Sequence, residues 1–330
     1  MAQEPVSPWQ GRRVLVTGAT GLVGSWLVPV LLERGCDVVA LVRDADPQSE
    51  LLRSGTLARI SLVNGVVEDL ATLERALNLH QIDTVFHLAA QTQVRCAYRD
   101  PYESFESNVR GTYTVLEACR RRRDLVERVV VASSDKAYGE AEQLPYTEST
   151  RLDAKFPYDT SKMCGDLIAR SYFETYGLPV TVARCGNIFG GGDLNWDRIV
   201  PGTIRSLLKG ERPLIRSDGT LIRDYVYAGD VALAYLDLAE QVHRSEVKGQ
   251  AFNFSAARPL SVLEMVESIG EVMGTRLAPV IQGVHVAEIR NQYLSSDRAR
   301  EVLGWRARYS LTEALAETVA WYRAFLGGNP

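Results

Sequence analysis

The stretch Val14-Leu15-Val16-Thr17-Gly18-Ala19-Thr20-Gly21-Leu22-Val23-Gly24 decides the fold of this chain. It opens in a short β-branched run that predicts a buried strand, and the apolar-periodic residues 25–34 that follow it predict a helix. The three glycines between strand and helix allow a tight turn and a close approach to a pyrophosphate, at the positive end of the helix. Because strand and helix flank the glycines, dinucleotide binding explains them better than a plain turn does.

Strands and helices alternate beyond this stretch. Further strands are predicted at residues 37–42, 60–67, 84–90, 128–132 and 180–184, and long helices at residues 102–123 and 157–176. This alternation predicts an α/β fold, a doubly wound parallel sheet of the Rossmann type. We expect residues 1–185 to form the dinucleotide-binding domain. Residues 186–330 are expected to form mainly a smaller C-terminal substrate-binding lobe, with the chain returning to the first domain around 221–254.

Length and composition are typical of a globular enzyme-sized protein. The 330 residues exceed what one core usually supports, and the apolar content of 46% is ordinary for a soluble chain. The net charge of −4 comes with no basic block large enough to suggest a nucleic-acid partner. The four arginines at residues 120–123 close a predicted helix, where cations suit the helix dipole.

Five cysteines, odd in number and widely spread, include no C-x-x-C pair. They predict reduced thiols in a cytoplasmic protein, and neither a disulfide framework nor a metal site. The first ten residues are polar and lack the layout of a signal peptide. No apolar run reaches the length of a bilayer span, so we expect no membrane partner.

The second predicted strand ends in Arg43-Asp44, where the cofactor is chosen. An acid here would bind the adenosine ribose and favour NAD, whereas an arginine would suit the extra phosphate of NADP. The sequence offers both, so we expect NAD and leave NADP open. Small residues at Ala89 and Ala90 would let the cofactor lie close to the backbone, and His87 before them is interpreted as a core histidine.

Ser134, Tyr158 and Lys162 are the candidate catalytic group. Ser134 follows the strand at 128–132, and strand ends in open parallel sheets are where ligands bind. Tyr158 and Lys162 lie four apart and share a helix face, which alone would be no more than an exposed pair. A tyrosine with its ordinary pKa of about 10 is a poor base, but a lysine ammonium and a nicotinamide cation favour the phenolate. With Ser134 holding the substrate oxygen, the three residues predict a hydride-transfer site.

The glycine spacing G-x-x-G-x-x-G and this triad resemble the short-chain dehydrogenase/reductase superfamily. Over nearly its whole length the chain resembles the extended branch that acts on nucleotide sugars. The resemblance implies cofactor binding by Gly18, Gly21, Leu22, Val23, Gly24, Arg43, Asp44, Leu88, Ala89, Ala90, Gln91, Asn108, Tyr158 and Lys162. The chain departs from the superfamily at Val66, because other members often have an aspartate there that contacts the adenine of the cofactor.

The resemblance also implies contacts to a nucleotide-sugar substrate. The residues so implied are Gln91, Ser134, Asn187, Arg198, Arg223 and Glu288. Arg223 would bind the diphosphate, Asn187 the sugar-phosphate region and Arg198 the nucleotide. Each of these three residues has a simpler interpretation, as a surface or loop-bracing residue, and Asn108 is either a cap-like surface residue or part of the support behind the active site.

Asp135-Lys136 follows the triad serine and separates two activities. In this group epimerases usually carry small or uncharged residues there, whereas 4,6-dehydratases carry an acid–base pair. Asp-Lys is the pair of CDP-glucose 4,6-dehydratases and of a more distant UDP-sugar branch. Residues 9–11, 24–27 and 186–198 resemble the CDP-glucose enzymes too. The segments 138–139 and 223–227 look more like epimerases and TDP-sugar enzymes.

The implied reaction is oxidation of the sugar 4-hydroxyl by NAD with Tyr158 as base, followed by removal of the carbon-5 proton by Lys136. Asp135, protonated, would donate to the departing 6-hydroxyl, and hydride would return to carbon 6. A local ion pair or turn is the simpler interpretation of Asp135-Lys136. Since adjacent strand residues point to opposite sides, both can reach one substrate only if the chain bends there.

Three functions are therefore weighed. The sequence favours a nucleotide-sugar 4,6-dehydratase acting on CDP-glucose or a related hexose. The alternative is a 4-epimerase in which Lys136 only shapes the pocket, and the third is a non-catalytic dinucleotide sensor, which the intact triad disfavours. By resemblance we also expect a homodimer, joined through a four-helix bundle that residues 102–123 and 157–176 of each subunit would form.

Overall fold

The computed structural model describes residues 7–284 and 289–327. The first half of the chain alternates strands and helices, as predicted. The strands are β1 (Arg13–Thr17), β2 (Asp37–Val42), β3 (Ser61–Asn64), β4 (Thr84–His87), β5 (Arg128–Ser134) and β6 (Val180–Cys185). The helices are α1 (Leu22–Glu33), α2 (Glu50–Arg53), α3 (Leu70–Leu79), α4 (Val94–Arg99), α5 (Pro101–Phe105), α6 (Gly111–Arg121) and α7 (Pro157–Tyr176).

The second half has shorter strands. These are β7 (Asn187–Phe189), β8 (Leu214–Ile215), β9 (Ile222–Tyr227), β10 (Ala251–Phe254), β11 (Pro259–Ser261), β12 (Val280–Ile281) and β13 (Asn291–Gln292). The helices are α8 (Ile199–Leu208), α9 (Ala228–Gln241), α10 (Val262–Met273) and α11 (Leu311–Gly327).

A seven-stranded parallel sheet is the centre of the molecule, in the order β10-β6-β5-β4-β1-β2-β3. The chain runs from β1 to β3 in one direction across the sheet, and then from β4 to β10 in the other. The order reverses between β1 and β4, and the carboxyl edge at such a reversal is where α/β sheets bind ligands. The predicted doubly wound fold is confirmed.

Helices cover both faces of this sheet, and the alternation of side chains along β1 shows why. Val14 and Val16 pack into a core with α1 and α9, whereas Leu15 packs into a second core with α3, α6 and α7. A strand buried on both faces in this way is expected to read as the uninterrupted apolar run seen at the start of the sequence.

A third core lies away from the large sheet. Here β9 pairs with β7, β11 and β13, and this small sheet packs with α8, α10 and α11. After β9 the chain returns through α9, which packs against α1, and through β10, which extends the large sheet beside β6. The boundary at residue 185 between two domains stays a prediction.

Several elements differ from their predicted bounds, among them β3, β4 and the helix predicted at residues 102–123. β3 covers four residues at the sheet edge, where only one neighbouring strand supports it. β4 ends at His87 because the Thr17 hydroxyl accepts hydrogen bonds from the next two backbone amides, those of Leu88 and Ala89, at 3.2 Å each. The helix predicted at 102–123 contains a π-helical turn, Glu106–Arg110, between α5 and α6.

None of the helices in the described part of the chain has the length and apolarity needed to cross a membrane. All five cysteines carry free thiols.

Candidate active site

The glycine loop between β1 and α1 fits tightly against the segment after β4. Gly18 has a φ of +74°, and a Cβ there would lie 2.6 Å from the Ala89 nitrogen. A Cβ at Gly24 would lie 2.4 Å from the Gly18 oxygen. Gly21 is the N-cap of α1 and supplies no side-chain cap, so the first-turn amides around Leu22 and Val23 are left for an anion.

Arg43 and Asp44 lie just beyond the end of β2. The Arg43 guanidinium donates a 2.7 Å hydrogen bond to the Asp44 carboxylate, and both side chains are more than half exposed. The two residues that pointed to different cofactors therefore form one ion pair. Exposed pairs of this kind contribute little to stability, so either side chain can turn to a ligand at small cost.

A buried relay of hydrogen bonds fixes the end of β4. The Thr17 hydroxyl lies 2.9 Å from His87 Nδ1, and His87 Nε2 lies 3.0 Å from the Thr112 hydroxyl, which donates to the Asn108 carbonyl. Burial lowers the pKa of His87 to about 3, so the ring is neutral. His87 is therefore a satisfied core histidine, in agreement with its interpretation from sequence.

Asn108 clamps the segment that follows β4. Its amide oxygen accepts from the Gln91 nitrogen at 2.7 Å, and its amide nitrogen donates to the Gln91 carbonyl at 3.0 Å and to the Ser161 hydroxyl at 2.8 Å. The residue is 2% exposed and sits in the π-helical turn, a feature frequent at functional sites. It therefore joins the start of α7 to the cofactor edge of the sheet and is no surface cap.

Ser134, Tyr158 and Lys162 meet at the carboxyl end of β5. Tyr158 is 8% exposed, and burial raises the pKa of its phenol to about 12, although Arg198 and a hydrogen bond with Ser134 oppose the rise. Lys162 donates a 3.1 Å hydrogen bond to the Ala132 carbonyl. Burial lowers the pKa of Lys162 to about 8. The site thus holds a neutral phenol beside a buried amine.

The chain bends directly after Ser134. Asp135–Tyr138 is a 3₁₀ turn, and the Ser134 hydroxyl accepts a 3.3 Å hydrogen bond from the Lys136 nitrogen. Asp135 is 1% exposed and accepts a 3.0 Å hydrogen bond from Ser134 on Oδ1. Its Oδ2 has no hydrogen-bond partner among the described residues. Burial raises the pKa of Asp135, with the neighbouring Lys136 charge opposing that rise.

Both members of the Asp135-Lys136 pair reach the small sheet. Lys136 Nζ donates a 3.1 Å hydrogen bond to Gln292 on β13. Asp135 is close enough to Arg223 on β9 for the guanidinium charge to oppose the rise that burial causes in the pKa of Asp135. Arg223 and Gln292 are register partners on those two strands. The turn therefore provides the bend that the sequence required for both side chains to face one region.

A second buried acid, Asp224, lies next to this pair. Its Oδ2 accepts a 3.0 Å hydrogen bond from the Leu294 nitrogen, and its Oδ1 lacks a partner within the described chain. Burial raises the pKa of Asp224 to about 6, and the Asp135 carboxylate adds to the rise. Two buried acids, one lysine and one arginine thus share a small volume.

The other residues implied by resemblance are spread over the lobe. Asn187 begins β7 and is paired with Tyr225 on β9. Arg198 caps α8 and is bound to Asp193 at 3.1 Å, and its other nitrogen reaches the Thr92 hydroxyl at 3.4 Å, beside the Gln91 segment. Arg223 is 5% exposed and donates to the Ile222 and Arg290 carbonyls. Glu288 lies outside the described residues.

Comparison with known proteins decides the family. The sequence pattern of the NAD dependent epimerase/dehydratase family matches residues 14–254. A CDP-glucose 4,6-dehydratase of Salmonella typhimurium is 30% identical, over 97% of this chain and 93% of that protein. This chain belongs to the NAD-dependent epimerase/dehydratase family.

Relatives of both kinds, epimerases and dehydratases, match this chain. A UDP-glucose 4-epimerase of Mycolicibacterium smegmatis is 31% identical, over 94% of this chain and 98% of that protein. The structure of a UDP-glucose 4-epimerase from Thermotoga maritima superposes with a TM-score of 0.86 at 29% identity, over 95% of this chain and 99% of that one. That of a dTDP-glucose 4,6-dehydratase from Streptomyces venezuelae, solved with NAD, has a TM-score of 0.85 at 28% identity, over 96% and 98%.

NAD is the cofactor of the epimerase/dehydratase family, and the residues here fit it. The glycine loop leaves no room for a side chain at Gly18 or Gly24, and the start of α1 has free amides for a diphosphate. Ser133, just before the triad serine, has a buried hydroxyl that no described residue satisfies. The chain is an enzyme of this nucleotide-sugar dehydratase/epimerase family, and the predicted family and cofactor are confirmed.

Sequence reasoning missed the supports of the 3₁₀ turn. The Tyr138 hydroxyl donates to Asn253 at 2.7 Å and accepts from Arg184 at 2.8 Å, and Arg184 makes a buried two-bond pair with Asp166 at 2.7 and 2.8 Å. Gln292 was missed as well, because it contacts Lys136 across 156 residues of sequence. Only the polarity of residues placed on otherwise apolar strands hinted at these contacts.

Proposed function

We propose that this protein is a nucleotide-hexose 4,6-dehydratase, with CDP-glucose as the first substrate to test. The observation that carries the proposal is Asp135, buried beside Lys136 at the end of β5 with one carboxyl oxygen unpartnered among the described residues. Burial raises its pKa, so the group can hold a proton for a leaving hydroxyl. The likeness to the CDP-glucose 4,6-dehydratase of Salmonella typhimurium supports the same reaction.

In the first step Tyr158 takes the proton from the sugar 4-hydroxyl while Ser134 holds the same oxygen. NAD, held by the glycine loop between β1 and α1, would supply the hydride chemistry, so that carbon 4 is oxidised first and carbon 6 is reduced last. The pKa of Tyr158 is about 12 in the protein alone, so the phenolate needs added positive charge nearby. The nicotinamide ring of bound NAD would supply that charge, next to Lys162, which shares a helix face with Tyr158.

In the second step Lys136 removes the proton on carbon 5, which the 4-ketone has made acidic. Asp135 donates its proton to the 6-hydroxyl, which leaves as water, and the carboxylate so formed is next to the newly protonated Lys136. Exchange of one proton for another within this pair keeps the net charge of the pocket unchanged. A buried site favours such a sequence because an uncompensated charge there is costly. When hydride reaches carbon 6, Lys136 gives a proton back to carbon 5, which completes the 4-keto-6-deoxy sugar. Asp135 then regains a proton from solvent, and Tyr158 releases the proton that it took from the 4-hydroxyl.

The remaining site residues are proposed in the roles that the family resemblance gave them. Gly18, Gly21, Leu22, Val23, Gly24, Arg43, Asp44, Leu88, Ala89, Ala90, Gln91 and Asn108 would hold NAD. Asn187, Arg198 and Arg223 would hold the nucleotide sugar, with Gln91 between the two ligands. Arg198 already reaches from α8 to the Gln91 segment through Thr92, which supports a role in closing the site.

A 4-epimerase is the second candidate, because UDP-glucose 4-epimerases match this chain as closely as the dehydratases do. In that reaction the keto sugar turns over and is reduced on its other face. Asp135 and Lys136 would then only shape the pocket.

The deciding experiment incubates the protein and NAD with CDP-glucose, UDP-glucose and dTDP-glucose in separate reactions. We expect a product lighter by one water, and a product of unchanged mass would instead establish the epimerase. Lys136→Ala and Asp135→Asn should each lower water loss by about a hundredfold or more while the cofactor is still reduced. Lys209→Ala, at an exposed lysine at the end of α8, is the control and should leave turnover unchanged.

We propose further that the protein is a cytoplasmic homodimer joined through α5, α6 and α7. These helices and the adjoining α4 carry several large apolar side chains that are at least partly exposed, namely Tyr98, Tyr102, Phe105, Tyr113, Leu167 and Tyr176. A second subunit packing helix against helix would bury apolar side chains of this kind.

A further inference from the structure

We propose that Gln292 is a positioning residue that holds the amino group of Lys136 where a base must act, an inference that rests on the proposed dehydration. Gln292 is fully buried, and its Oε1 accepts the Lys136 Nζ hydrogen bond at 3.1 Å. Because Nζ donates in this contact and an amide nitrogen cannot accept, the amide oxygen faces the lysine. The amide nitrogen then points away, and no described residue satisfies it.

Both ends of this contact are fixed by backbone. The Lys136 nitrogen is bonded to the Ser134 hydroxyl in the 3₁₀ turn. On the other side, Gln292 is in register with Arg223, and the next carbonyl, that of Tyr293, accepts from the Tyr146 nitrogen at 2.9 Å. The Tyr146 hydroxyl in turn donates to the Gly139 carbonyl at 2.6 Å, directly after the turn that carries Lys136. The lysine therefore has a defined place.

A space-filling role does not account for a glutamine here. A buried amide with an unsatisfied nitrogen costs about 1–3 kcal/mol, which an apolar side chain of the same length would avoid. The neutral amide of Gln292 is also compatible with the proposed role of Lys136 as a base. A carboxylate at this position would favour the charged ammonium, whereas an amide orients Nζ with far less preference for its charge. Charged groups near the pair include Asp135 beside Lys136, and Arg223 and Asp224 on β9.

The test uses the complete protein with NAD and CDP-glucose in single turnovers. Gln292→Met keeps the length of the side chain and removes the acceptor, and Gln292→Asn keeps the amide but draws it back by one methylene. Three quantities are measured: reduction of the bound cofactor by its absorbance, solvent deuterium at carbon 5, and loss of water by mass. We expect deuterium incorporation and water loss to fall about tenfold to a hundredfold in both variants. The rate of cofactor reduction, and the substrate concentration that gives half of its maximum, should change by less than about twofold, so that reduced cofactor accumulates.

Equal loss of both steps would show that Gln292 supports the site as a whole, and no loss in either step would show that Lys136 needs no anchor. Both results overturn the inference. Lys136→Ala separates this failure from failure of the proposed function. If Lys136→Ala stops water loss and the Gln292 variants do not, the positioning role of Gln292 is rejected and the proposed dehydration by Lys136 is kept. If Lys136→Ala leaves water loss intact, the assigned base is wrong and the positioning role falls with it.

Discussion

Lys162 is the residue whose burial has the clearest consequence for stability. It is 9% exposed, and its pKa falls from an ordinary 10.5 to about 8 because burial disfavours the ammonium. Below pH 8 the folded protein therefore carries a buried cation at a cost of about 3 kcal/mol relative to the unfolded chain. Between pH 8 and 10.5 the folded state has released this proton while the unfolded state still holds it, so stability from this group rises with pH.

We predict that Lys162→Met makes the cofactor-free protein more stable near pH 7 while abolishing oxidation of the substrate. The expected gain is about 1–2 kcal/mol, since loss of the hydrogen bond to the Ala132 carbonyl offsets part of it. The gain should shrink as pH rises through the window from about 8 to 10.5. Denaturant unfolding of both proteins across this range is the measurement.

The matched control is Lys209→Met, at an exposed lysine, which should change the free energy of unfolding by no more than about 0.5 kcal/mol. A stability difference between Lys162→Met and the unaltered protein that stays constant with pH would contradict the account of a buried cation.

At the scale of elements, the loop from β1 to α1 is the part that the sequence predicted best. Glycine is needed at Gly18 for two separate reasons, its left-handed φ of +74° and the close approach of Ala89. Both reasons are local to two strand ends that are neighbours in the sheet. The strand, the glycine spacing and the helix are contiguous in sequence, which is why the pattern could be interpreted without a structure.

We predict that Gly18→Ala lowers the free energy of unfolding by about 2–4 kcal/mol and weakens NAD binding. Its Cβ would lie 2.6 Å from the backbone nitrogen of Ala89.

Gly55→Ala is a close control, because Gly55 has a φ of +73° and open space around it. Left-handed strain alone should cost that variant about 1 kcal/mol and leave NAD affinity unchanged. Equal effects on NAD affinity from both substitutions would contradict this explanation. Thermal unfolding and NAD titration measure the two quantities.

The 3₁₀ turn after β5 shows the opposite case. The sequence indicated a need for a bend at Asp135-Lys136 but not what would make one. The bend depends on Tyr138, whose hydroxyl is held by Asn253 from β10 and Arg184 from β6. These partners lie far apart in sequence and meet only when β5, β6 and β10 are side by side, so no local pattern marks them.

For the whole molecule, the large sheet and the small sheet differ in how far the sequence predicted them. The large sheet follows from alternating strands and helices, which periodicity reveals. The small sheet is built from strands of two to six residues that pair parallel and antiparallel around β9. Strands this short leave little signal in the sequence, and the residues that they pair are far apart along the chain.

We predict that Leu167→Asp converts the proposed dimer to a monomer. Leu167 is 50% exposed on α7, so the folded subunit should tolerate the change, whereas a carboxylate buried between two subunits would lose its hydration. Sedimentation velocity measures the outcome. Leu79→Asp, at a leucine 68% exposed at the end of α3, should leave the assembly unchanged. A monomeric unaltered protein would remove the dimer proposal.

The sequence by itself determined the sheet, the glycine loop and the family, and it singled out Ser134, Tyr158 and Lys162 as the candidate triad, which stays a prediction. The sheet and the glycine loop rest on patterns of residues close in sequence, and Tyr158 and Lys162 are one helical turn apart, so backbone geometry alone relates these residues. The family and the addition of Ser134 rest on the resemblance of the whole chain. Only the tertiary structure decided that Asp135 is buried with a raised pKa, that Lys136 meets Gln292, and that Asp224 lies beside them. The contact between Lys136 and Gln292 joins residues 156 apart in sequence, and it exists only because the small sheet packs against the end of β5. The same packing buries Asp135 and raises its pKa, which is what distinguishes a candidate acid–base pair from an exposed ion pair.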